Sequence, residues 1–181
     1  MTTPTSTSPA TERRDGARDF DFLIGRWTSR NRKLAKPLSG EDRWETFDSK
    51  LTVQALPGGF GNVDLFEPLG DWRPGFLGLG LRLYNPATRL WSIFWLTNKG
   101  AGMVADNGQL EAPVVGGFDA AGVGTLHCRE LWEGRPIVVQ YRWSDITPRS
   151  ARWQQAFSLD DGASWEVNWI ADHTRVTVAE G

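Results

Sequence analysis

Residues 19–27 read DFDFLIGRW, a compact apolar stretch that ends in Gly25 and Trp27. Phe20, Leu23 and Trp27 recur at roughly helical spacing, which predicts one or two turns of helix. Gly25 lets the chain change direction after that turn, because glycine adopts backbone angles that other residues avoid. Nearly everything after Trp27 has the character of β-strand. The stretch is therefore predicted to be a short helical plug over one end of a sheet.

Short alternating segments separated by turn residues follow the plug, and helical periodicity does not return over any long window. The clearest segment is FLGLGLRLY at 76–84, in which leucines alternate with glycines and other residues. A period of two is typical of a strand with two different faces. Residues 85–88 turn the chain into LWSIFWLT at 90–97, so the pair is predicted to be a hairpin. Further strands are predicted over residues 27–34, 43–56, 61–66, 123–131, 136–144, 151–159 and 164–175.

Two glycine-containing segments carry further expectations. Gly78 and Gly80 share one face of the strand at 76–84. Glycines in that position often mark a tight bend in a barrel or the close approach of a ligand or another group. Residues 98–117 are loose and glycine-rich, and they are predicted to form a flap over one end of the structure.

Residues 158–165, SLDDGASW, resemble the Asp-box, in which an aspartate bonds loop amides and a tryptophan packs beneath the turn. Asp-boxes recur in sialidase-type propellers. This chain carries one copy and has no repeat of propeller length. Asp160 and Gly162 are therefore interpreted as residues that stabilise a turn.

Composition limits the class of protein. The chain has 181 residues, is 40% hydrophobic and 12% aromatic, and has a formal net charge of -2. These values predict one globular domain over residues 19–181, preceded by a mobile Thr-, Ser- and Pro-rich tail over residues 1–18. The mixed charges give no electrostatic reason to expect nucleic acid or an anionic membrane as a partner.

The cysteine content and the N-terminus point to the cytoplasm. Cys128 is alone, so neither an intrachain disulfide nor a cysteine zinc site is expected. Residues 1–16 contain no apolar signal-peptide core, and no later run reaches the length of a membrane span. We therefore expect a cytoplasmic protein that holds no metal.

About nine or ten antiparallel strands joined by short turns must protect their edges, and an up-and-down barrel does so most completely. The chain here resembles the calycins, which comprise the lipocalins, fatty-acid-binding proteins and nitrobindin-like barrels. The match rests on Gly25 and Trp27 in GRW and on Arg175 in HTR. The resemblance implies that Arg175 lies across the Trp27 ring at the closed end of the barrel, a contact worth about 0.5 to 2 kcal/mol.

The sequence is also similar to uncharacterised bacterial calycin-like proteins. They share the stretches DFDFLIGxW, LRLYNPATRxWSI and ARWQQAFS, which occur here at 19–27, 81–93 and 151–158. This likeness implies a fold and no activity.

Strand parity gives a hypothesis for the barrel interior. If Trp27 and Arg175 point inward, so do Trp165, Val167, Trp169, Ala171 and His173 on the last strand, and Ser29, Asn31 and Lys33 on the first. A bulge would reverse part of this assignment. The chain contains ten tryptophans. They seal a barrel that has no second layer, line a pocket for a flat apolar molecule, or do both.

His173 and Asp64 are the candidate acid or base residues. His173 has three readings: a hydrogen-bonded structural residue, a proton-transfer group, or the haem ligand that the nitrobindin-like resemblance implies. Asp64 shares strand parity with Asn62 and Phe66. An inward carboxylate would be desolvated and suited to proton transfer, whereas an Asp on an edge would face solvent.

Other polar residues could orient a ligand. Arg82 and Tyr84 lie on the glycine face of their strand and could hold a carboxylate or carbonyl, or Arg82 could form an exterior ion pair. Gln154 and Gln155, next to Trp153, could orient a polar substrate or cap strand ends.

Three functions follow from these observations. The first is a cofactor-free barrel that binds an apolar or aromatic small molecule among Trp95, Trp143, Trp153 and Trp169, with Asn62, Arg82 and Tyr84 as polar contacts. The second is a cofactor-independent cyclase, isomerase or lyase that uses His173 or Asp64. The third is a protein-interaction or structural role. An open seam in the barrel would also allow edge pairing into a homodimer. Motifs for nucleotide binding or zinc hydrolysis are absent from the sequence.

Overall fold

The computed structural model describes residues 15–177, which form a closed antiparallel barrel of ten strands. The strands are β1 (Gly25–Leu34), β2 (Trp44–Ala55), β3 (Gly61–Pro68), β4 (Gly78–Asn85), β5 (Leu90–Thr97), β6 (Val114–Phe118), β7 (Gly124–Trp132), β8 (Arg135–Ser144), β9 (Ser150–Ser158) and β10 (Glu166–Arg175). Each strand pairs with its neighbours in sequence, and β10 returns to pair with β1. The all-β barrel prediction is confirmed. Of the tail predicted over residues 1–18, residues 1–14 lie outside the described part.

Closure of the barrel runs along most of β1. Trp27 lies opposite Arg175 and Lys33 opposite Trp169, while the other side of β1 pairs with β2 from Gly25 to Leu34. Every described strand therefore has a partner on both sides. The open seam on which edge pairing into a homodimer would depend is absent from residues 15–177.

The plug is a single 3-10 turn, Asp21–Leu23. Phe20 and Leu23 are fully buried, and the Phe20 ring packs edge-on against Trp91 and Phe118 with centroids 5.0 Å apart in both pairs. The indole N–H of Trp27 donates to the carbonyl of Leu23 at 2.7 Å. These contacts seal one end of the barrel, which is called the closed end below.

Arg175 joins the plug to the last strand. Its guanidinium carbon lies 4.1 Å from the centroid of the Trp27 ring. Its Nη1 donates to the Ile24 carbonyl at 2.8 Å, and its Nη2 donates to the Phe22 carbonyl. Gly25 has a φ of 125°, and a Cβ there would lie 2.7 Å from Arg175 Nη1. Glycine at this position therefore permits both the turn and the guanidinium contact.

One strand falls within the segment predicted to be loose. Val114–Phe118 forms β6 between β5 and β7, so the interpretation of residues 98–117 as a flap is wrong for 114–117. Its sequence, VVGGF, contains two glycines that weaken a strand signal. A Cβ on Gly116 would lie 2.1 Å from the Thr125 carbonyl oxygen. The glycine that hides the strand in the sequence thus allows β6 to pack against β7.

A register shift between Val167 and Trp169 corrects part of the parity assignment. Asn168 is fully buried, and its Oδ1 accepts a hydrogen bond from Gln155. Trp165 instead contacts the exposed ring of His127, with centroids 5.7 Å apart. The inward prediction for Trp165 and Val167 is wrong, because this bulge reverses the strand's facing between them and Trp169.

No helix within residues 15–177 is long and apolar enough to cross a membrane.

Candidate functional site

Two adjoining cavities occupy the barrel interior. The inner cavity, of about 70 Å³, lies around Asp64, Arg82, Trp143 and His173. The mouth cavity, of about 270 Å³, lies toward the end opposite the plug, around Lys33, Arg73, Cys128, Glu130 and Trp132. Ile93, Trp95, Tyr141, Gln155 and Trp169 line both. A ligand that enters at the mouth would therefore reach the inner cavity past these side chains.

Trp169 lines both cavities, together with the aromatic residues Trp95 and Tyr141. Its ring centroid lies 5.4 Å from that of Trp153 and 6.2 Å from that of Trp95, with both pairs close to perpendicular. Its indole N–H donates to Asn31 Oδ1 at 3.1 Å, which fixes the orientation of the ring. Trp95, Trp143, Trp153 and Trp169, the four tryptophans assigned to a pocket from the sequence, all line the inner cavity.

The glycine face of β4 points inward and makes room for two of these groups. A Cβ on Gly78 would lie 2.2 Å from the Trp95 ring, and a Cβ on Gly80 would lie 2.4 Å from Asp64 Oδ2. Both glycines are buried. Larger residues at these positions would displace the aromatic wall or the carboxylate.

Asp64 and Arg82 form a buried ion pair in the inner cavity. Arg82 Nη2 lies 2.5 Å from Asp64 Oδ2, and the two side chains are 6% and 2% exposed. Arg82 Nη1 donates to Asn62 Oδ1 at 3.0 Å, and the Gly80 amide donates to Asp64 Oδ1 at 3.2 Å. The solvent-facing alternative for Asp64 and the exterior ion pair considered for Arg82 are wrong, because β3 and β4 direct both side chains into the barrel.

His173 is held beside this pair. Its Nδ1 is hydrogen-bonded to Ser29 Oγ at 2.6 Å, and its ring stacks on Trp143 with a centroid separation of 5.5 Å. The residue is 6% exposed. Burial, together with the positive charge of Arg82, lowers the pKa of His173 to about 4. At neutral pH the imidazole is therefore uncharged and able to accept or donate a proton.

Several buried nitrogen atoms around the inner cavity lack a hydrogen-bond partner within the described residues. They are His173 Nε2, Arg82 Nε and Trp143 Nε1, which belong to residues that line the cavity. Buried polar atoms are almost always paired, and an unpaired one costs about 1 to 3 kcal/mol. Arg82 Nε and Trp143 Nε1 are donors, so the set is suited to an oxygen acceptor such as a carboxylate or a carbonyl.

Two residues assigned to the pocket from the sequence lie elsewhere. Tyr84 belongs to the closed end, where its hydroxyl donates to Asp15 Oδ1 at 2.8 Å and accepts from the Gly16 amide at 3.2 Å. Asn62 lies behind Arg82 and contacts its guanidinium. Neither side chain lines the inner or the mouth cavity.

Other cavity residues were missed as site residues. Asn31 and Tyr141 line the inner cavity, Ser29 holds His173, and Lys33 lines the mouth cavity. Parity had placed Ser29, Asn31 and Lys33 on the same face as Trp27, but no motif distinguished them. Tyr141 shares its strand face with Trp143, and that alternation was the available signal.

The mouth cavity contains groups whose protonation is shifted by burial. The Lys33 Nζ lies 3.8 Å from the centroid of the Trp169 ring. Burial, and then the charge of Arg73, lowers the pKa of Lys33 to about 7. Burial, and then the charge of Glu111, raises the pKa of Glu130 to about 7. Burial raises the pKa of Cys128 to about 12, so its thiol is a poor nucleophile at neutral pH.

The residues around His173 do not fit a haem. His173 lines the inner cavity and its Nε2 is unpaired, as an axial ligand requires. The space there is about 70 Å³, whereas pockets for drug-sized molecules measure about 300 to 1,000 Å³. The stacked Trp143 ring would also have to leave the imidazole. Within residues 15–177, no group of three or more His, Cys, Asp and Glu side chains is arranged to hold a metal ion.

Comparison with known proteins identifies the fold. No protein-family model matches the chain, and no curated protein matches it significantly. Among solved structures, the S-type phycobiliprotein lyase CPES from Guillardia theta is similar, with a TM-score of 0.56 over 88% of this chain and 92% of the lyase chain. The two sequences are 13% identical, so the likeness concerns the fold alone. The chain is thus a closed ten-stranded antiparallel barrel whose fold is similar to that of this lyase.

Proposed function

We propose that this protein binds a small molecule that has a flat apolar or aromatic body and an oxygen acceptor at one end. The acceptor enters the inner cavity, and the body lies against Trp169 and Trp95 toward the mouth. The observation that carries the proposal is the set of buried, unpaired nitrogens in a cavity walled by tryptophans. An acceptor placed there would satisfy donors that otherwise lack partners, and the rings would exclude water.

The buried ion pair supports the same function. A pair such as Asp64 and Arg82 is weak evidence for a role in stability, because desolvation offsets most of its attraction. The pair instead gives the inner cavity a fixed polarity. The likeness to a phycobiliprotein lyase supports a ligand-handling barrel at the level of the fold only, since one fold serves many functions.

Binding of 2-naphthoate, measured by isothermal titration calorimetry, tests the proposal. We expect 2-naphthoate to bind more tightly than 2-methylnaphthalene, which lacks the acceptor. Trp169→Leu is expected to weaken 2-naphthoate binding about tenfold, which corresponds to about 1.4 kcal/mol of lost aromatic contact. Circular dichroism should first show that the variant is folded.

Trp165→Leu is the matched control, because Trp165 packs on the outside of the barrel against His127. Its affinity for 2-naphthoate should equal that of the unaltered protein. Equal losses in both variants, or no binding of either naphthalene compound, would contradict the proposal.

A second function, cofactor-independent proton transfer, is favoured by the geometry of His173. Ser29 orients Nδ1, Nε2 is free at the cavity, and the ring is neutral at pH 7. This is the arrangement of a base with an orienting partner. Asp64, as an alternative base, is 3% exposed and already bonded to Arg82. An isomerisation, cyclisation or elimination needs one such group and an enclosed substrate.

Turnover is tested by incubating the protein with a small-molecule extract of its own host and comparing compounds before and after by liquid chromatography and mass spectrometry. The unaltered protein should deplete one compound, and His173→Gln should slow that depletion about 100-fold or more. His127→Gln, which alters an exposed histidine, should have no effect. Full turnover in both His173→Gln and Asp64→Asn would remove the two residues from catalysis.

A further inference from the structure

Lys33 differs from the other lysines in the described structure. It lies on β1 with its side chain turned into the mouth cavity, and it is partly buried. By contrast, Lys36 is exposed and paired with Glu41 at 3.1 Å, Lys50 is exposed, and Lys99 is exposed and donates to the Pro74 carbonyl. Lys33 is therefore the lysine that a molecule in the mouth cavity would meet.

The amine of Lys33 has no carboxylate partner among residues 15–177. Glu45 is its cross-strand neighbour, but Glu45 Oε2 accepts a hydrogen bond from the Trp72 indole at 2.9 Å. No carboxylate between Asp15 and Thr177 forms an ion pair with Lys33, whose Nζ instead lies 3.8 Å from the centroid of the Trp169 ring. An amine that no carboxylate holds in an ion pair is available to act as a nucleophile once it has lost its proton.

We infer that Lys33 is a covalent docking site that forms an imine with an aldehyde or ketone bound in the mouth cavity. The lone pair of Nζ adds to the carbonyl carbon, and a proton moves from nitrogen to oxygen to give a carbinolamine. The carbinolamine then loses water as the C=N bond forms, and no oxidant or reductant is needed. The inference rests on the proposed small-molecule function. It adds that the end of the ligand in the mouth cavity carries an aldehyde or a ketone.

The surroundings suit both the amine and its product. The low pKa of Lys33, caused by burial and by the charge of Arg73, leaves a large fraction of the amine unprotonated near pH 7. Once formed, a protonated imine keeps a cation over the Trp169 face, so the attraction between cation and ring is retained. The mouth cavity, at about 270 Å³, offers space for the body of the ligand beside that ring.

The charged groups around Lys33 set the pH at which it reacts. Arg73 disfavours the protonated amine and Glu45 favours it. Glu130 and Glu111 line the same cavity, and Glu130 loses its proton near pH 7. The reaction should therefore be measured from about pH 6 to 9 on the intact protein.

Reductive trapping with 2-naphthaldehyde and sodium cyanoborohydride, followed by peptide mass mapping, tests the inference. At pH 7 we expect Lys33 to be modified at least about tenfold faster than the exposed Lys36, Lys50 or Lys99, which do not line the mouth cavity. The rate of Lys33 modification should rise with pH and reach half of its maximum near pH 7. Lys33→Arg, which keeps a cation on the ring, should lose the fast modification.

Non-covalent binding of 2-naphthoate to the unaltered protein and to Lys33→Met separates the two proposals. Binding to both proteins, with no selective adduct at Lys33, would overturn the imine and leave the small-molecule function standing. Even modification of all four lysines would also overturn it. Absence of both binding and adduct would overturn the proposed function together with this inference.

Discussion

Arg82→Met should lower the free energy of unfolding by about 3 to 5 kcal/mol. The change leaves the Asp64 carboxylate buried in the inner cavity with its ion-pair partner removed, and it also leaves Asn62 Oδ1 without the donor that Arg82 supplies. An unpaired buried charge bears the full cost of desolvation. Urea unfolding followed by tryptophan fluorescence would measure the loss.

The double variant Asp64→Leu/Arg82→Met should recover most of this stability, because it replaces both charges with apolar side chains of similar size. Arg30→Met provides the matched surface control. Arg30 and Asp48 also form an ion pair between neighbouring strands, but their side chains are 63% and 56% exposed. That variant should lose no more than about 1 kcal/mol. A loss in Arg82→Met as small as in Arg30→Met would show that the inner pair is open to water.

If the double variant is stable, the ion pair is not needed for folding. The ion pair would then be explained by a role in ligand binding. Asp64 and Arg82 lie where the unpaired nitrogens of His173 and Trp143 also line the wall. Loss of 2-naphthoate binding in a stable double variant would connect the pair directly to recognition of the acceptor.

Most strands could be predicted because the residues of each strand carry the pattern themselves. LWSIFWLT at 90–97 and FLGLGLRLY at 76–84 carry alternation and are bounded by turn residues, and the structure places β5 at Leu90–Thr97. The segment VVGGF has no such signal. It becomes β6 only because β5 and β7 leave a place for it in the closed barrel. A strand that depends on non-local pairing cannot be recognised from its own residues.

The sequence could predict which strand faces line the barrel interior, but it could not predict the position of each side chain along the barrel axis. Gly78, Gly80, Arg82 and Tyr84 share one face of β4, and that face proved to be the inner one. Parity does not state how far along the barrel a side chain lies. Arg82 therefore reaches the inner cavity, while Tyr84, two residues on, reaches the closed end and contacts Asp15 and Gly16.

The pairing of Ser29 with His173 shows the same limit. The two residues are 144 positions apart, and only the β1–β10 register places them opposite each other. Asn168 enters the interior through a bulge that the strand pattern does not show. Contacts made across the closure of the barrel therefore had to come from the structure.

His173 should make the stability of the protein depend on pH. Its pKa in the folded protein is about 4, below the ordinary value of 6.5. Between these two values the unfolded chain binds a proton that the folded protein does not, so stability rises with pH across this window. The contribution is fully present above about pH 6.5 and is lost as the pH falls toward 4. A shift of this size corresponds to about 3 kcal/mol.

The difference in unfolding free energy between the unaltered protein and His173→Gln isolates this effect. From pH 7 to pH 4, the unfolding free energy of the unaltered protein should fall by about 3 kcal/mol more than that of His173→Gln, because the variant lacks the titrating group. Glu130, whose pKa is raised to about 7, acts in the opposite direction over the same range, but it is present in both proteins and cancels. His127→Gln should keep most of the pH dependence, because His127 is exposed. Parallel pH profiles for the unaltered protein and His173→Gln would mean that the imidazole is hydrated, and that the inner cavity is not the enclosed site described above.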